Sequence, residues 1–498
     1  MKSSKSPVWS KLVFLAILSV AAFLRFYKLE SRMVFIGDQG RDFLAAKEMI
    51  VTGQVPLLGI ASSISRFRQG PVNVWLTAWV FKWFGFDPVN VGLLAASSGL
   101  VAVGLVYIVG RWWLTEGAAL VASLMLATSP LAVLTSQMPF YGAYIPLVSL
   151  AYFGALIRGL QAKKPNWFWP AFWWGVLFQF ELATLPLVVL IPLVFYLRRE
   201  KLGWLTAVKA GLGLVVGLGP QIIYLFSQPF SWGDSLVAWF FYRLVALFTS
   251  GGEDGFSSER LGGVTASIVE QGSKFFGGNL FVSILVLLLL GSGLIAFWQK
   301  RHELIKHYKP MVVIGLGITV LLTAFYWHGA LLEAYFPALF VPIVWWLGWT
   351  WFQLPKLVKK PLAVGLTGLA VYQAIFFFTS GGLTEAATSR TLSVVHVPRL
   401  GEQRLIVGLV EAKVADKGVR LRSYGPGSEF ASNMDNYRFL LGQRGITESE
   451  KGREVWFLRG AQAQEVFLVD STSYFFDGVT VAIPLDAYRN SVDSQFGR

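Results

Sequence analysis

GDQGRDFLAAKEMIVTGQVPLLGIASSISRFRQGP, running from Gly37 to Pro71, is a charged, turn-rich segment set between two long apolar runs. It gathers Asp38, Arg41, Asp42, Glu48, Arg66 and Arg68 within a short length of chain. Charged groups beside a bilayer are confined to the water side or serve a function, so chemistry is expected here. The apolar run before it, Leu12 to Phe26, follows Lys2, Lys5 and Lys11. Arg25-Phe-Tyr-Lys28 stands where a signal peptide would carry a small-residue cleavage site. The reading is an uncleaved signal anchor with a cytoplasmic N-terminus, which puts residues 28–70 in a first external loop.

Composition bounds the class. The chain has 498 residues, 54% hydrophobic and only 14% charged, with mean hydropathy +0.55. Soluble domains carry about 25% charged residues, so a polytopic membrane protein with a soluble appendage is expected. The apolar runs are continuous, which excludes the short alternating segments of an outer-membrane barrel. The net charge of +14 does not point to nucleic acid. Its basic residues cluster between apolar runs, at Arg198, Arg199 and Lys201, at Lys300, Arg301, Lys306 and Lys309, and at Lys356, Lys359 and Lys360, as cytoplasmic loops do. The twenty Trp are read as interfacial belts, and the absence of Cys excludes disulfides and thiolate metal sites.

Further spans are expected near 71–86, 89–110, 117–134, 139–160, 166–182, 183–197, 204–226, 279–298, 309–327, 331–352 and 361–380. Several are shorter than the ~20 residues that cross a bilayer, giving about eleven to thirteen spans in an all-α membrane module over residues 1–382. From Arg111 onward the basic clusters alternate correctly, leaving residues 227–278 and the region after 381 outside. Two full crossings between Pro71 and Gly110 would put Arg111 on the wrong side. Either Pro71–Phe86 does not cross, or Arg111 is an exception paired with Glu116. In the loop 227–278, Leu236, Trp239, Phe240, Leu244 and Leu247 share one helical face, as in an interfacial helix, and GGEDGFSSERLGG reads as a flexible loop. Residues 383–498 form a small α/β domain, with strands expected at Val419–Ser423, Glu454–Leu458 and Glu465–Val469 and helices near 401–415 and 434–443.

Asp38 opens an expected helix from about Gln39 to Val51, where its plain role would be an N-cap. Asp42 shares its face and reads as a solvated helix residue. Arg66 and Arg68 precede Gln69-Gly70-Pro71, where the chain re-enters the membrane. There they meet lipid headgroups or grip a lipid-linked phosphate. Glu181 is an intramembrane carboxylate, and His328 and Glu333 lie at the external start of a span. No Walker loop, GxGxxG, nucleophile elbow or HExxH is present, so nucleotide-driven chemistry has no support.

The order of these features resembles the GT-C glycosyltransferases of the protein O-mannosyltransferase and aminoarabinose-transferase type. The features are an anchor, an external loop reading GDQGRD, the re-entry Arg66-Phe-Arg68-Gln-Gly-Pro71, many short spans and an appended domain containing NYRFLLGQRG (Asn436–Gly445). The resemblance implies that Asp38 is the catalytic base. Relatives often carry Glu where this chain has Gln39, so any part that Glu plays with acceptor or metal is implied to be either absent here or displaced, with Asp42 the candidate. It also implies cations at the lipid phosphate, for which Arg66, Arg68 and His328 are candidates.

The expected substrate-binding set is Arg41, Asp42, Arg66, Arg68, Glu181, His328, Glu333 and Tyr335, with no residue assigned to a metal. A divalent metal is the one cofactor left open. The partners implied are a polyprenyl-phosphate sugar, a protein or glycolipid acceptor and the bilayer, with no nucleic acid. The expected place is the plasma (inner) membrane, with the C-terminal domain outside. A transporter or flippase of lipid-linked saccharide, and an envelope glycan polymerase or ligase, are the competing readings.

Overall fold

The structure, a computed structural model, describes residues 8–60, 68–199, 203–227, 258–277, 291–295, 297–299, 308–328, 336–379, 398–414, 418–425, 428, 430, 432–459, 471–476 and 479–484. The N-terminal module opens with α1 (Val8–Phe26), α2 (Leu29–Arg32), α3 (Gly37–Thr52), α4 (Val72–Phe84), α5 (Pro88–Gly110) and α6 (Glu116–Thr128). Then come α7 (Pro130–Gln137), α8 (Ile145–Gln161), α9 (Phe168–Phe180), α10 (Leu190–Arg198), α11 (Trp204–Gly217) and α12 (Gly219–Ser227). It continues with α13 (Ser258–Phe276), α14 (Lys309–His328), α15 (Pro337–Gln353) and α16 (Lys356–Thr379).

Among the described residues, three helical stretches are long and apolar enough to cross a membrane singly: α1, α5 and Tyr141–Gln161. Two bent pairs bring the number to five, α6 with α7 at 58° and α11 with α12 at 76°. The expected spans 117–134 and 204–226 are therefore broken. At the first break Pro130 has no N–H to continue α6, and Ser129 caps the new helix by accepting from the Ala132 amide. The expected span 183–197 likewise begins as a 3₁₀ turn, Leu182–Val189, containing Pro186. The span 279–298 and the interfacial face from Leu236 to Leu247 lie largely or wholly outside the described residues. The end of the expected flexible loop is helical, because α13 begins at Ser258 and runs through Gly262 and Gly263.

Polar contacts at both ends of α1 fix the relative directions of the first helices. At its start, Ser10 donates to Glu116 Oε1 at 2.7 Å, and Tyr107 donates to the same oxygen at 2.9 Å. At its end, Arg25 donates to the carbonyls of Ala127 at 2.9 Å and Leu126 at 3.1 Å. So α1 and α6 run parallel, and α5 runs against them.

Helix α4 decides the conflict over Arg111. Its first turn carries Asn73, bonded to Asp42 of α3 at 2.6 Å. Beyond its last turn, the Phe86 carbonyl accepts from Gln443 of the C-terminal domain. Both ends of α4 meet the same layer, so this helix lies along the layer instead of traversing the bundle. Arg111 then falls on the side of the α1 N-terminus. Arg198 and Lys309 join it at that end: Gln161 donates to the Trp112 carbonyl, Arg198 to the Gly159 and Ala162 carbonyls, and Lys309 to the Leu197 carbonyl. Among the described residues Arg111, Arg198 and Lys309 therefore share one end, as the alternation expects.

The Trp divide: Trp9, Trp79, Trp83, Trp112, Trp169, Trp204 and Trp298 are exposed, whereas others lie inside. Trp167, Trp345 and Trp349 are fully buried within the bundle, and Trp345 donates to the Val106 carbonyl at 3.0 Å. They fill core space between helices instead of anchoring a surface belt.

The C-terminal domain comprises α17 (Leu400–Val414), β1 (Val419–Tyr424), α18 (Asp435–Gln443), β2 (Arg453–Leu458), β3 (Ser471–Phe476) and β4 (Val479–Pro484). The sheet order is β1-β2-β4-β3. Strands β1 and β2 pair in parallel from Val419↔Arg453 to Tyr424↔Leu458, with α18 in the crossover. The pair β3–β4 was not expected, although its signal stands in the sequence. Asp477-Gly478 separates two β-branched and aromatic runs, and the register closes at Phe476↔Val479. The expected strand Glu465–Val469 and the division at 382/383 fall outside the described residues.

This domain does not stand apart. Phe35, Phe43 and Phe81 of the first loop and α4 share one core with Phe439 of α18. The rings of Phe43, Phe81 and Phe439 lie 5.1 to 5.6 Å apart. Such aromatic pairs contribute beyond their buried area, so the appendage and the polar loop form one packed layer.

Candidate functional site

The site is built on the first turn of α3. The helix is capped not by Asp38 but by Ile36, which is extended at φ −108° and ψ 173°. Gln39 reaches back, and its Oε1 accepts from the Ile36 amide at 2.9 Å. This side chain closes the helix start, a task its amide performs as well as the expected Glu. Its Nε2 is buried, with no hydrogen-bond partner among the described residues.

With the capping done by its neighbour, Asp38 is released for another use. It sits in the first turn, where the helix dipole favours negative charge. Its Oδ1 accepts from Ser432 Oγ of the C-terminal domain at 2.6 Å and lies 3.4 Å from Arg41 Nη1. The side chain is still 45% exposed. Among the described residues its Oδ2 takes no hydrogen bond, so one oxygen is oriented and the other is open.

Asp42 is not solvated. It is 3% exposed, with Oδ2 accepting from Asn73 and Oδ1 3.3 Å from Arg41 Nη2. Its helical face packs against α4, which a local reading of the loop does not reveal. Burial raises its carboxyl to about 6, while Arg41 and the Asn73 hydrogen bond pull it back. Arg41 therefore bridges two carboxylates of different character, one half-exposed and one buried.

The re-entry segment is strapped to the bundle. The Gly59 amide donates to the Gln69 carbonyl and the Gln69 amide to the Ile60 carbonyl, each at 2.9 Å. The Gly70 amide donates to the Gln179 carbonyl at 2.9 Å. A Cβ on Gly70 would press into the Gln179 side chain, so glycine permits this approach. Arg68 is exposed two residues before the strap, and Arg66 lies outside the described residues.

Glu181 follows Gln179 by two residues, at the joint between α9 and the 3₁₀ turn. It is 2% exposed and accepts from the Ala183 amide at 3.0 Å. Its Oε2 is buried and has no hydrogen-bond partner among the described residues. The His328 side chain, Glu333 and Tyr335 lie outside the described residues. Among the described residues no three His, Asp or Glu side chains assemble as metal ligands.

Two residues of the candidate site were not expected from the sequence. Ser432 had no signal, because its role depends on docking 394 positions away. Asn73 had a weak one, as an amide at the start of an otherwise apolar run.

A comparison with family models matches residues 68–227 to dolichyl-phosphate-mannose-protein mannosyltransferase. A comparison with curated proteins finds no match. Among solved structures, ArnT from Cupriavidus metallidurans bound to undecaprenyl phosphate is similar at TM-score 0.64 and 12% identity, covering 97% of this chain and 99% of that one. Its apo state is similar at TM-score 0.59, also at 12% identity, covering 96% and 98%. The apo oligosaccharyltransferase of Archaeoglobus fulgidus gives TM-score 0.52 and 10% identity over 88% of this chain and 64% of that one. The chain is thus a multi-pass membrane protein with the GT-C fold, similar in residues 68–227 to the dolichyl-phosphate-mannose-protein mannosyltransferases.

Proposed function

We propose that the chain is an inverting glycosyltransferase that moves a sugar from a polyprenyl-phosphate donor to an acceptor on the extracytoplasmic side. The observation that carries this reading is Asp38, a half-exposed carboxylate oriented at Oδ1 and open at Oδ2. It lies on the layer opposite the end where Arg111, Arg198 and Lys309 gather, the end the positive-inside rule gives to the cytoplasm. The similarity in fold to a protein bound to undecaprenyl phosphate supports a lipid-phosphate donor.

Asp38 takes the proton of an acceptor hydroxyl or amine. The acceptor's lone pair bonds to the anomeric carbon, and the carbon–oxygen bond to phosphate breaks on the opposite face. The electron pair leaves with the polyprenyl phosphate, whose charge is met by cations. Arg68 at the re-entry and Arg41 beside Asp38 are the described candidates, and guanidinium matches phosphate geometry. Arg66 and His328 complete that proposed set, while Glu181, Glu333 and Tyr335 are assigned to acceptor or sugar. Asp42 supports Arg41 from below. A positioned base contributes about 10²–10⁴-fold. One carboxylate suffices because the acceptor itself is the nucleophile.

The test is Asp38→Asn in proteoliposomes supplied with a labelled polyprenyl-phosphate sugar and a glycolipid or peptide acceptor. Loss of the new glycosidic bond by at least about a hundredfold is expected. Unchanged turnover would remove Asp38 as base, and label crossing the vesicle without bond formation would establish a flippase instead.

A further inference from the structure

We infer that the C-terminal domain completes the catalytic site, with Ser432 acting as a positioning residue that aims the Asp38 carboxylate. The inference rests on the assignment of Asp38 as base and adds a second domain to that site. Ser432 Oγ donates to Asp38 Oδ1 at 2.6 Å, a charge-assisted bond short enough to hold the carboxylate in one rotamer.

The approach is built into both surfaces. Gly37 and Gly40 lie three apart on α3, and a Cβ on either would collide with backbone of the C-terminal domain. For Gly37 the obstacle is the Ser432 carbonyl, and for Gly40 it is the Asn436 amide. These two glycines flank Asp38 in the stretch GDQG, so the residues that admit the domain are the ones that frame the base.

The seat is polar, and its amides reach across it. Asn436 donates to the Phe35 carbonyl at 3.2 Å and to Gln403 Oε1 at 2.9 Å, and Gln403 donates to the same carbonyl at 2.6 Å. Phe35 stands three residues before Asp38, so α17 and α18 hold the backbone that delivers the base. Asp38 thus receives its orientation from a domain that begins more than 300 residues later in the chain.

The test compares Ser432→Ala, Ser432→Thr and Asp38→Asn in full-length protein in proteoliposomes, reading kcat, donor KM and the thermal midpoint. Misaimed catalytic groups typically cost about tenfold to a hundredfold. Ser432→Ala should lower kcat by that factor with donor KM within about twofold and the midpoint little changed. Ser432→Thr, which keeps the hydroxyl, should restore kcat. Should Ser432→Ala not fold, Ser432→Cys carries the same test, since its thiol is a weak donor of similar size. Wild-type kcat in Ser432→Ala beside an inactive Asp38→Asn overturns the inference alone. So does a parallel fall of kcat and midpoint that Thr does not rescue. An active Asp38→Asn overturns the underlying assignment instead.

Discussion

Asn73 Nδ2 and Asp42 Oδ2 meet at 2.6 Å, joining the helix that flanks the polar loop on one side to the helix that flanks it on the other. The pair is buried, and it fixes α4 flat against α3.

That burial has a pH signature. The Asp42 carboxyl is raised from 3.8 to about 6 on folding, chiefly by desolvation. The folded state therefore holds the proton more tightly than the unfolded state. Its contribution to stability is present below about pH 4, declines as pH rises to about 6 and is constant above, a total of about 3 kcal/mol at ~1.4 kcal/mol per unit. Asp42→Asn keeps a carbonyl acceptor for Asn73 without the charge. Thermal unfolding in detergent from pH 4 to 8 should show a flatter profile for this variant, with the gain at neutral pH.

Arg25 is a buried cation that meets helix carbonyls. Its guanidinium receives the last carbonyls of α6, where the dipole favours a positive charge. Arg25→Leu should cost about 1–3 kcal/mol by leaving those carbonyls unsatisfied. Arg25→Lys should recover only part, since one ammonium does not reproduce the fork that spans two carbonyls. Thermal midpoints of the three proteins check the order.

Helices α9 and α11 touch backbone to backbone. A Cβ on Gly217 would lie 2.6 Å from the Phe172 carbonyl oxygen, and one on Gly175 would lie 2.9 Å from the Gly217 backbone. Gly213 and Gly217 form the small-residue stripe that lets membrane helices approach closely. Gly217→Leu should therefore lower the yield of folded protein and the thermal midpoint, while Gly211→Leu, at an open position, should leave both near wild type.

Arg404 pairs with Glu30 and with Asp87, the latter at 2.7 Å, and bridges the C-terminal domain to α2 and to the turn between α4 and α5. All three side chains are about a third to a half exposed, so solvent screens the pair. Arg404→Ala should cost less than about 1 kcal/mol and leave transfer within about twofold. Gly40→Ala, which strikes backbone, should do far more damage to the same interface. Parallel activity and unfolding measurements separate the two.

What the chain's own order of residues settles is local. Long apolar runs demand helices, because an unpaired backbone has no partner in lipid. Basic residues collect at one end, and the helix over 37–52 follows from its spacing. The strands at 419–424 and 453–458 are legible in the same way. The pairing of 471–476 with 479–484 has its local signal too, in Asp477-Gly478 between two β-branched and aromatic runs.

The tertiary structure alone decided the rest. Hydropathy cannot tell a helix that crosses from one that lies flat, so α4 had to be placed by Asn73 and Phe86. Helical spacing put Asp42 on a face without saying what covered it. Asp38 and Ser432 are 394 positions apart, and only the docking of two glycines against foreign backbone brings them together. Patterns of period 3.6 or 2 are written by neighbours in the chain, whereas the aim of a carboxylate depends on groups that become neighbours only after packing.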